Sequence, residues 1–368
     1  MKRAGIVGIG FWAPSTVRRN DAWSEEFVRG FHEHREARRK TDFTDHGQRS
    51  ATRAYDELYA KHVRPYDADP FKGAVERRVA DPAIPGARGD TVAAGRALED
   101  AGVGAEAVDL VMSSAIPQDK LCPSNAPAVA QALGCKDVAT LGLETYCASP
   151  VAQLDLAAAL VESGRARYVL CVSSHQMARI NDLRLPASPV FGDASSAFLV
   201  GEVPENRGVM HVLRGGDPSL RDGVALAVLE RPDNVWWKGV PGPVVPGSDD
   251  LSAAKHVGQN LLRYPIDTLR ELLESAKVPV DAVGVLSMIQ PSTWFQAAVA
   301  EGLGIQASRV PSTYADFAHI GGCAIAANLL EARRAGLLND GTVVAVYGHG
   351  AGFTRYAALL RWHERPRS

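Results

Sequence analysis

The sequence predicts an α/β protein assembled from two similar halves, and three observations carry that prediction. The 368 residues include 34 glycines and 22 prolines scattered along the whole chain, which suits many short connections between strands and helices better than one long linker. The text around Leu98, ALEDAGVGAEAVDLVM, returns around Leu273 as LLESAKVPVDAVGVLS. A later apolar stretch, Tyr168 to Val172, has its counterpart at Thr342 to Val346.

Taken in order, each copy reads as an amphipathic helix, a short Gly- or Pro-containing turn and a buried apolar strand. Leu98, Glu99, Ala101, Val103, Ala107 and Val108 recur as Leu273, Glu274, Ala276, Val278, Ala282 and Val283. A second helix then ends in Leu-Gly in both copies, at Leu133-Gly134 and Leu303-Gly304. The halves are expected at about residues 1–203 and 204–368, sharing an interface where equivalent loops meet.

Composition removes several function classes. Lys and Arg number 40 against 42 Asp and Glu, a net charge of −2, which argues against a nucleic-acid binder that works through a basic surface. With 46% hydrophobic and 22% charged residues the chain has an ordinary globular composition. It contains no apolar run of the ~18 residues a membrane helix needs. Met1-Lys2-Arg3 leads into an apolar stretch broken by Gly8 and Gly10 and closed by Pro14, too short for a secretory signal. The five cysteines are an odd number without a CxxC pair, which fits a reducing cytoplasm and neither a disulfide framework nor a zinc or other metal site.

The equivalent loops are the informative ones. Glu144-Thr-Tyr-Cys147-Ala-Ser-Pro150 precedes a long apolar helix in the first half, and Asp316-Phe-Ala-His319-Ile-Gly-Gly322 precedes one in the second. A cysteine at a helix N-terminus is expected to favour its thiolate, because free N–H groups and the helix dipole stabilise negative charge there. An imidazole brought alongside would complete a Cys–His pair. Asp316, three residues before His319, is a candidate to orient the ring.

These segments resemble the thiolase superfamily, most closely its β-ketoacyl-acyl-carrier-protein synthase III branch. LETYCASP is similar to the family's nucleophile elbow, FGDASSAFLVGE (Phe191 to Glu202) to its Phe-Gly-Asp turn and strand, and GHGAGFTRYAALLRW (Gly348 to Trp362) to its C-terminal glycine loop. The opening GIVGIGFWAPSTVRRND and KGAVERRVA (Lys72 to Ala80) resemble the family's first strand and its Gly-x-x-x-R-R segment. The resemblance implies a five-layered αβαβα thiolase-like fold from two pseudo-twofold-related halves. It also implies a homodimer paired along residues 138–143, Cys147 as acyl acceptor, and an acyl-CoA or acyl-carrier-protein phosphopantetheine donor with no other cofactor. The insertion at about residues 21–90 would cover the substrate entrance, with Trp23, Arg77 and Arg78 as candidate contacts to pantetheine or nucleotide. Cys122 falls where the family sets a residue against the partner's acyl pocket.

Two departures redirect the chemistry. Where decarboxylating members carry a His-Gln-Ala-Asn loop, this chain reads SMIQPSTWFQ, so Gln290 stands nearest the missing His, with Thr293 beside it; His319 stands where the Asn would be. Two donors normally stabilise the enolate oxygen of decarboxylation, and loss of one costs about 2.7–4 kcal/mol by analogy with oxyanion-hole deletions. A single His beside a Cys suffices for acyl transfer, with backbone N–H groups of Cys147 and of Ala351 or Gly352 as oxyanion hole. The resulting expectation is a ping-pong acyltransferase of natural-product (polyketide or antibiotic) biosynthesis that passes an acyl group from Cys147 to an O or N nucleophile of a small-molecule acceptor. The alternative is a decarboxylative C–C condensing enzyme, and a non-catalytic dimer partner is a third reading that the joint presence of Cys147 and His319 argues against. Candidate pocket residues are Cys122, Tyr146, Trp236, Trp237, Trp294, Phe295 and His349.

Overall fold

A computed structural model describes residues 2–42, 53–228 and 244–364; Trp236 and Trp237 lie outside the described residues. The first half runs β1 (Arg3–Trp12), α1 (Gly86–Ala101), β2 (Leu110–Ile116), α2 (Ala126–Leu133), β3 (Ala139–Gly142), α3 (Ser149–Glu162), β4 (Tyr168–Gln176) and β5 (Asp193–Val203). The second runs β6 (Gly208–Gly216), α4 (Arg263–Ser275), β7 (Val283–Met288), α5 (Phe295–Leu303), α6 (Cys323–Arg334), β8 (Val343–Gly350) and β9 (Thr354–Arg361).

The repeat in the text becomes a repeat in topology. One sheet has the order β1–β5–β4–β2–β3 and the other β6–β9–β8–β7, and in both the first two neighbours pair antiparallel and the next pair parallel. Among the described residues only the first sheet carries an extra strand, β3, parallel to β2 and exposed at all four residues. The helix ends repeat as well. Gly134 closes α2 at φ 78° and Gly304 closes α5 at φ 79°, each donating its N–H to carbonyls of the last turn. After α1 the left-handed position is Gly102 at φ 60°, but after α4 its counterpart is Lys277 at φ 54°, a conformation that costs a non-glycine residue roughly 1–2 kcal/mol.

The layers follow from which faces are apolar. Helices α3 and α6 each touch both sheets and bury most of their surface, including Val151, Leu154, Ala157 and Val161 of α3 and Ile325, Ala326 and Leu329 of α6. Each carries one buried amide that serves its sheet: Gln153 Nε2 donates to the Val172 carbonyl at 3.1 Å and Asn328 Nδ2 to the Met288 carbonyl at 3.2 Å. Helix α1 covers the outer face of the first sheet, with α2 packed beside it, and α4 and α5 cover the second. The result is a five-layered αβαβα arrangement with the two central helices starting at the loops of Cys147 and His319.

The insertion meets this frame through a short strand pair, Val17–Arg19 with Glu76–Arg78. Trp23 and Arg77 are both buried, although Trp23 also borders a surface cavity with Val28, Arg29 and His32. Trp23 is buried and donates its indole N–H to Ser188 Oγ at 2.8 Å, while Arg77, fully buried, donates to the Pro189 carbonyl and to Asn20 Oδ1 and stacks on Trp23 at 4.6 Å. The expected contact of Arg77 to pantetheine or nucleotide is thereby corrected, since the side chain is enclosed; it and the Trp23 indole brace the 188–190 segment from inside. Arg78 bonds Glu76 at 3.0 Å and lies against Phe317.

Candidate active site

The nucleophile elbow is built from a carboxylate outward. Glu144 accepts hydrogen bonds from Ser114 Oγ (2.9 Å), the Ala115 N–H (3.3 Å), the Tyr146 N–H (2.6 Å) and Ser149 Oγ (3.1 Å). It thus ties the end of β2 to the start of α3. Desolvation of that carboxyl raises its pKa while the four donors oppose the rise. Tyr146, half-buried, takes φ 54° and throws Cys147 into the interface between the halves. Across the interface, Gly350 leaves the room this needs: a Cβ there would fall 2.1 Å from the Thr145 carbonyl oxygen and 3.0 Å from the Cys147 nitrogen.

His319 arrives by a different device. Its backbone is clamped by the other half, with its N–H donating to the Val190 carbonyl at 2.8 Å and its own carbonyl accepting from the Gly192 N–H at 3.1 Å. Ala318, immediately before it, sits at φ 56°, ψ −149°, a region that glycine alone visits freely. Nδ1 lies 2.9 Å from the Gln290 carbonyl and Nε2 lies 3.8 Å from Cys147 Sγ. A carbonyl only accepts, so Nδ1 carries the proton and the Nε2 lone pair of the neutral ring faces the sulfur.

Both members are held uncharged. Desolvation lowers the His319 pKa to about 4, with the Gln290 carbonyl resisting. Desolvation and the nearby Glu144 push the Cys147 thiol up to about 12, against the N–H groups of Cys147 and Gly322. The expected helix-terminus thiolate is therefore corrected, because burial outweighs the helix end. His175, its Nδ1 on the Gly192 carbonyl at 2.9 Å and its ring 5.3 Å from that of His319, is pushed down to about 3 by burial and by His319.

Several expected residues land elsewhere. Gln290 is buried, but its side chain is locked away, donating to Ser312 Oγ at 2.7 Å and accepting from the Thr313 hydroxyl at 3.1 Å; it supports His319 through its carbonyl alone. Thr293 donates its N–H to the Lys72 carbonyl at 3.1 Å and packs on Gly73. Asp316 is exposed, and the Nδ1 it was to orient is already taken, so no triad acid is present there. Cys122 is exposed beside Leu121. Trp294 and Phe295 are buried, and the Phe295 ring lies 6.1 Å from that of His349, which borders the glycine loop. Ala351 and Gly352 (φ 74°) turn that loop after Gly350. Sequence reasoning assigned no role to Glu144, Gly322 or the Val190–Gly192 clamp, although Glu144, Gly322 and Gly192 lie inside the segments it singled out.

The family model "3-Oxoacyl-[acyl-carrier-protein (ACP)] synthase III" matches residues 141–218 and its C-terminal companion matches residues 273–362. A β-ketoacyl-[acyl-carrier-protein] synthase III of Anaplasma marginale is 30% identical over 284 residues, 74% of this chain and 85% of the relative. The chain belongs to the β-ketoacyl-ACP synthase III family. A synthase III of Desulfitobacterium hafniense is 28% identical over 303 residues, covering 80% of this chain and 88% of its own. Among solved structures, synthase III of Pseudomonas aeruginosa PAO1 superposes with TM-score 0.77 at 22% identity over 99% and 100% of the two chains. The priming β-ketosynthase of the R1128 polyketide pathway does so with TM-score 0.77 at 24% identity over 99% and 98%. These likenesses fix the synthase III fold, and the protein is an enzyme of that family. Among the described residues no helix is long and apolar enough to cross a membrane and no three His, Cys, Asp or Glu side chains gather as metal ligands.

Proposed function

We propose that this synthase III-family enzyme is an acyltransferase that carries its acyl group on Cys147 and delivers it to an oxygen or nitrogen nucleophile of a small acceptor. The observation that carries the reading is the single His319 with its bare Nε2 on the thiol, while the Gln290 amide that stands in for a donor is turned onto Ser312 and Thr313. An enolate oxygen beside the sulfur would meet the bare Nε2, because the ring's one N–H, on Nδ1, is held by the Gln290 carbonyl, and it would find no amide from Gln290; a lone pair of this kind suits a base for acyl transfer.

In the first half-reaction the Cys147 sulfur attacks the carbonyl of a CoA or carrier-protein thioester as its proton passes to Nε2, and collapse of the tetrahedral adduct returns that proton to the departing thiol. In the second, Nε2 takes the proton of the acceptor O–H or N–H as it attacks the acyl carbon, and the Cys147 thiolate leaves and is reprotonated. The Cys147 amide and the 350–352 loop beside it supply the oxyanion contact. Homodimer formation along the open β3 edge and a role in natural-product assembly belong to the same proposal.

Intact-protein mass spectrometry with acyl and malonyl thioesters tests it. The expected adduct retains the full acyl mass, is absent from Cys147→Ala, and is discharged by alcohols or amines. The names of the curated relatives favour a second reading, C–C condensation; carbon dioxide released in proportion to product would replace the first reading with that one.

A further inference from the structure

The outward face of β8 and β9 holds polar groups that the chemistry above does not use. Tyr347 and His349 are two residues apart on β8 and so share a face, opposite to the side on which Gly348 and Gly350 meet the Cys147 backbone. Arg355 of β9 is the direct cross-strand partner of His349, and its own partner on β6 is Gly215, whose missing side chain gives the guanidinium space. Helix α4 closes the face: Arg355 stacks on Tyr264 at 5.0 Å and donates Nη1 to Thr268 Oγ1 at 3.2 Å. The Tyr347 and His349 rings lie 5.7 Å apart.

Three atoms on this face are buried and without a hydrogen-bond partner: Tyr347 Oη, His349 Nδ1 and Arg355 Nε. Tyr347 is fully buried. Among the described residues Arg355 has no ion-pair partner, and Asp217, the acid that senses its charge, gives its carboxylate to the Ser219 N–H and hydroxyl. Buried donors are ordinarily satisfied and a guanidinium ordinarily finds an anion. The strand that carries the face also reaches the reacting pair, since Gly348 and Gly350, on either side of His349, meet the backbone of Cys147.

We propose that Tyr347, His349 and Arg355 form an acceptor subsite for a carboxylate, so that the molecule acylated from Cys147 is a hydroxy or amino acid. One guanidinium with two neutral donors matches a monoanion with planar oxygens better than a doubly charged phosphate. Naming the occupant as acceptor rests on the acyltransferase reading; the binding of a carboxylate does not.

The test is calorimetric titration of the full, unacylated chain with 3-hydroxybutyrate and with its methyl ester, followed by discharge of acyl-Cys147 by the same pair. The carboxylate is expected to bind at least about tenfold more tightly than the ester. Arg355→Gln and Tyr347→Phe should bring that ratio towards one, and Arg355→Lys should retain part of it. A ratio is insensitive to a reduced folded fraction, so partial misfolding of one variant leaves the readout intact. Equal binding of acid and ester, or a preference that survives Arg355→Gln, overturns the subsite. If the acyl-enzyme does not form, the acyltransferase reading falls while the binding ratio still decides the subsite.

Discussion

The two loops that meet at the interface solve one problem in two ways. Each sets a strained residue directly before its functional one, Tyr146 at φ 54° before Cys147 and Ala318 at φ 56° before His319. The first is held by a side chain of its own segment, Glu144, whose carboxylate gathers four donors. The second is held by backbone groups of remote segments, Val190, Gly192 and Gln290. Strain of about 1–3 kcal/mol persists only where the surroundings over-determine it. The candidate nucleophile is thus positioned locally and the candidate base by assembly of the halves.

The largest effect should come from the base. His319→Ala is expected to slow acylation of Cys147 about 10²–10⁴-fold, read by time-resolved intact mass; a loss below about fivefold would break the pairing. Glu144→Ala removes the local staple and strands its donors. Unfolding should be easier by about 1–3 kcal/mol and acylation at least about tenfold slower, measured by denaturant titration beside the same assay, with Glu144→Gln in between.

The pH profile separates a held-neutral base from an ordinary one. Protonated His319 cannot accept the thiol proton, and its pKa is lowered to about 4, so activity is lost as pH falls through about 4. The rate at pH 5 should be within about twofold of that at pH 7, whereas an unshifted histidine near 6.5 would lose most of it. The smallest effect is assigned to Asp316→Asn, a change below about twofold in kcat/KM, because this carboxylate is exposed and a carbonyl holds the ring. A drop of tenfold or more would restore the triad.

How much of this was legible in the text can be judged at particular residues. The repeat from Leu98 to Leu273 foretold the matched sheet orders, because apolar periodicity and Leu-Gly stops are local properties of the chain. Cys147 and His319 were legible as a pair because the repeat sets them at equivalent loops. The side chain of Gln290 was not, since nothing near it in sequence says that Ser312 and Thr313 will capture its amide.

By itself, then, the sequence determined the two-fold plan, the central helices and the choice of Cys147 and His319 as candidate nucleophile and base, all of which follow from periodicity, turn residues and the order of motifs. Tertiary structure alone decided their protonation, the tautomer of His319, the inward turn of Trp23 and Arg77, and the juxtaposition of Tyr347, His349 and Arg355. The physical reason is that desolvation and hydrogen-bond partners depend on what packs from elsewhere in the chain. Burial thereby reversed the charge expected of a cysteine at a helix start.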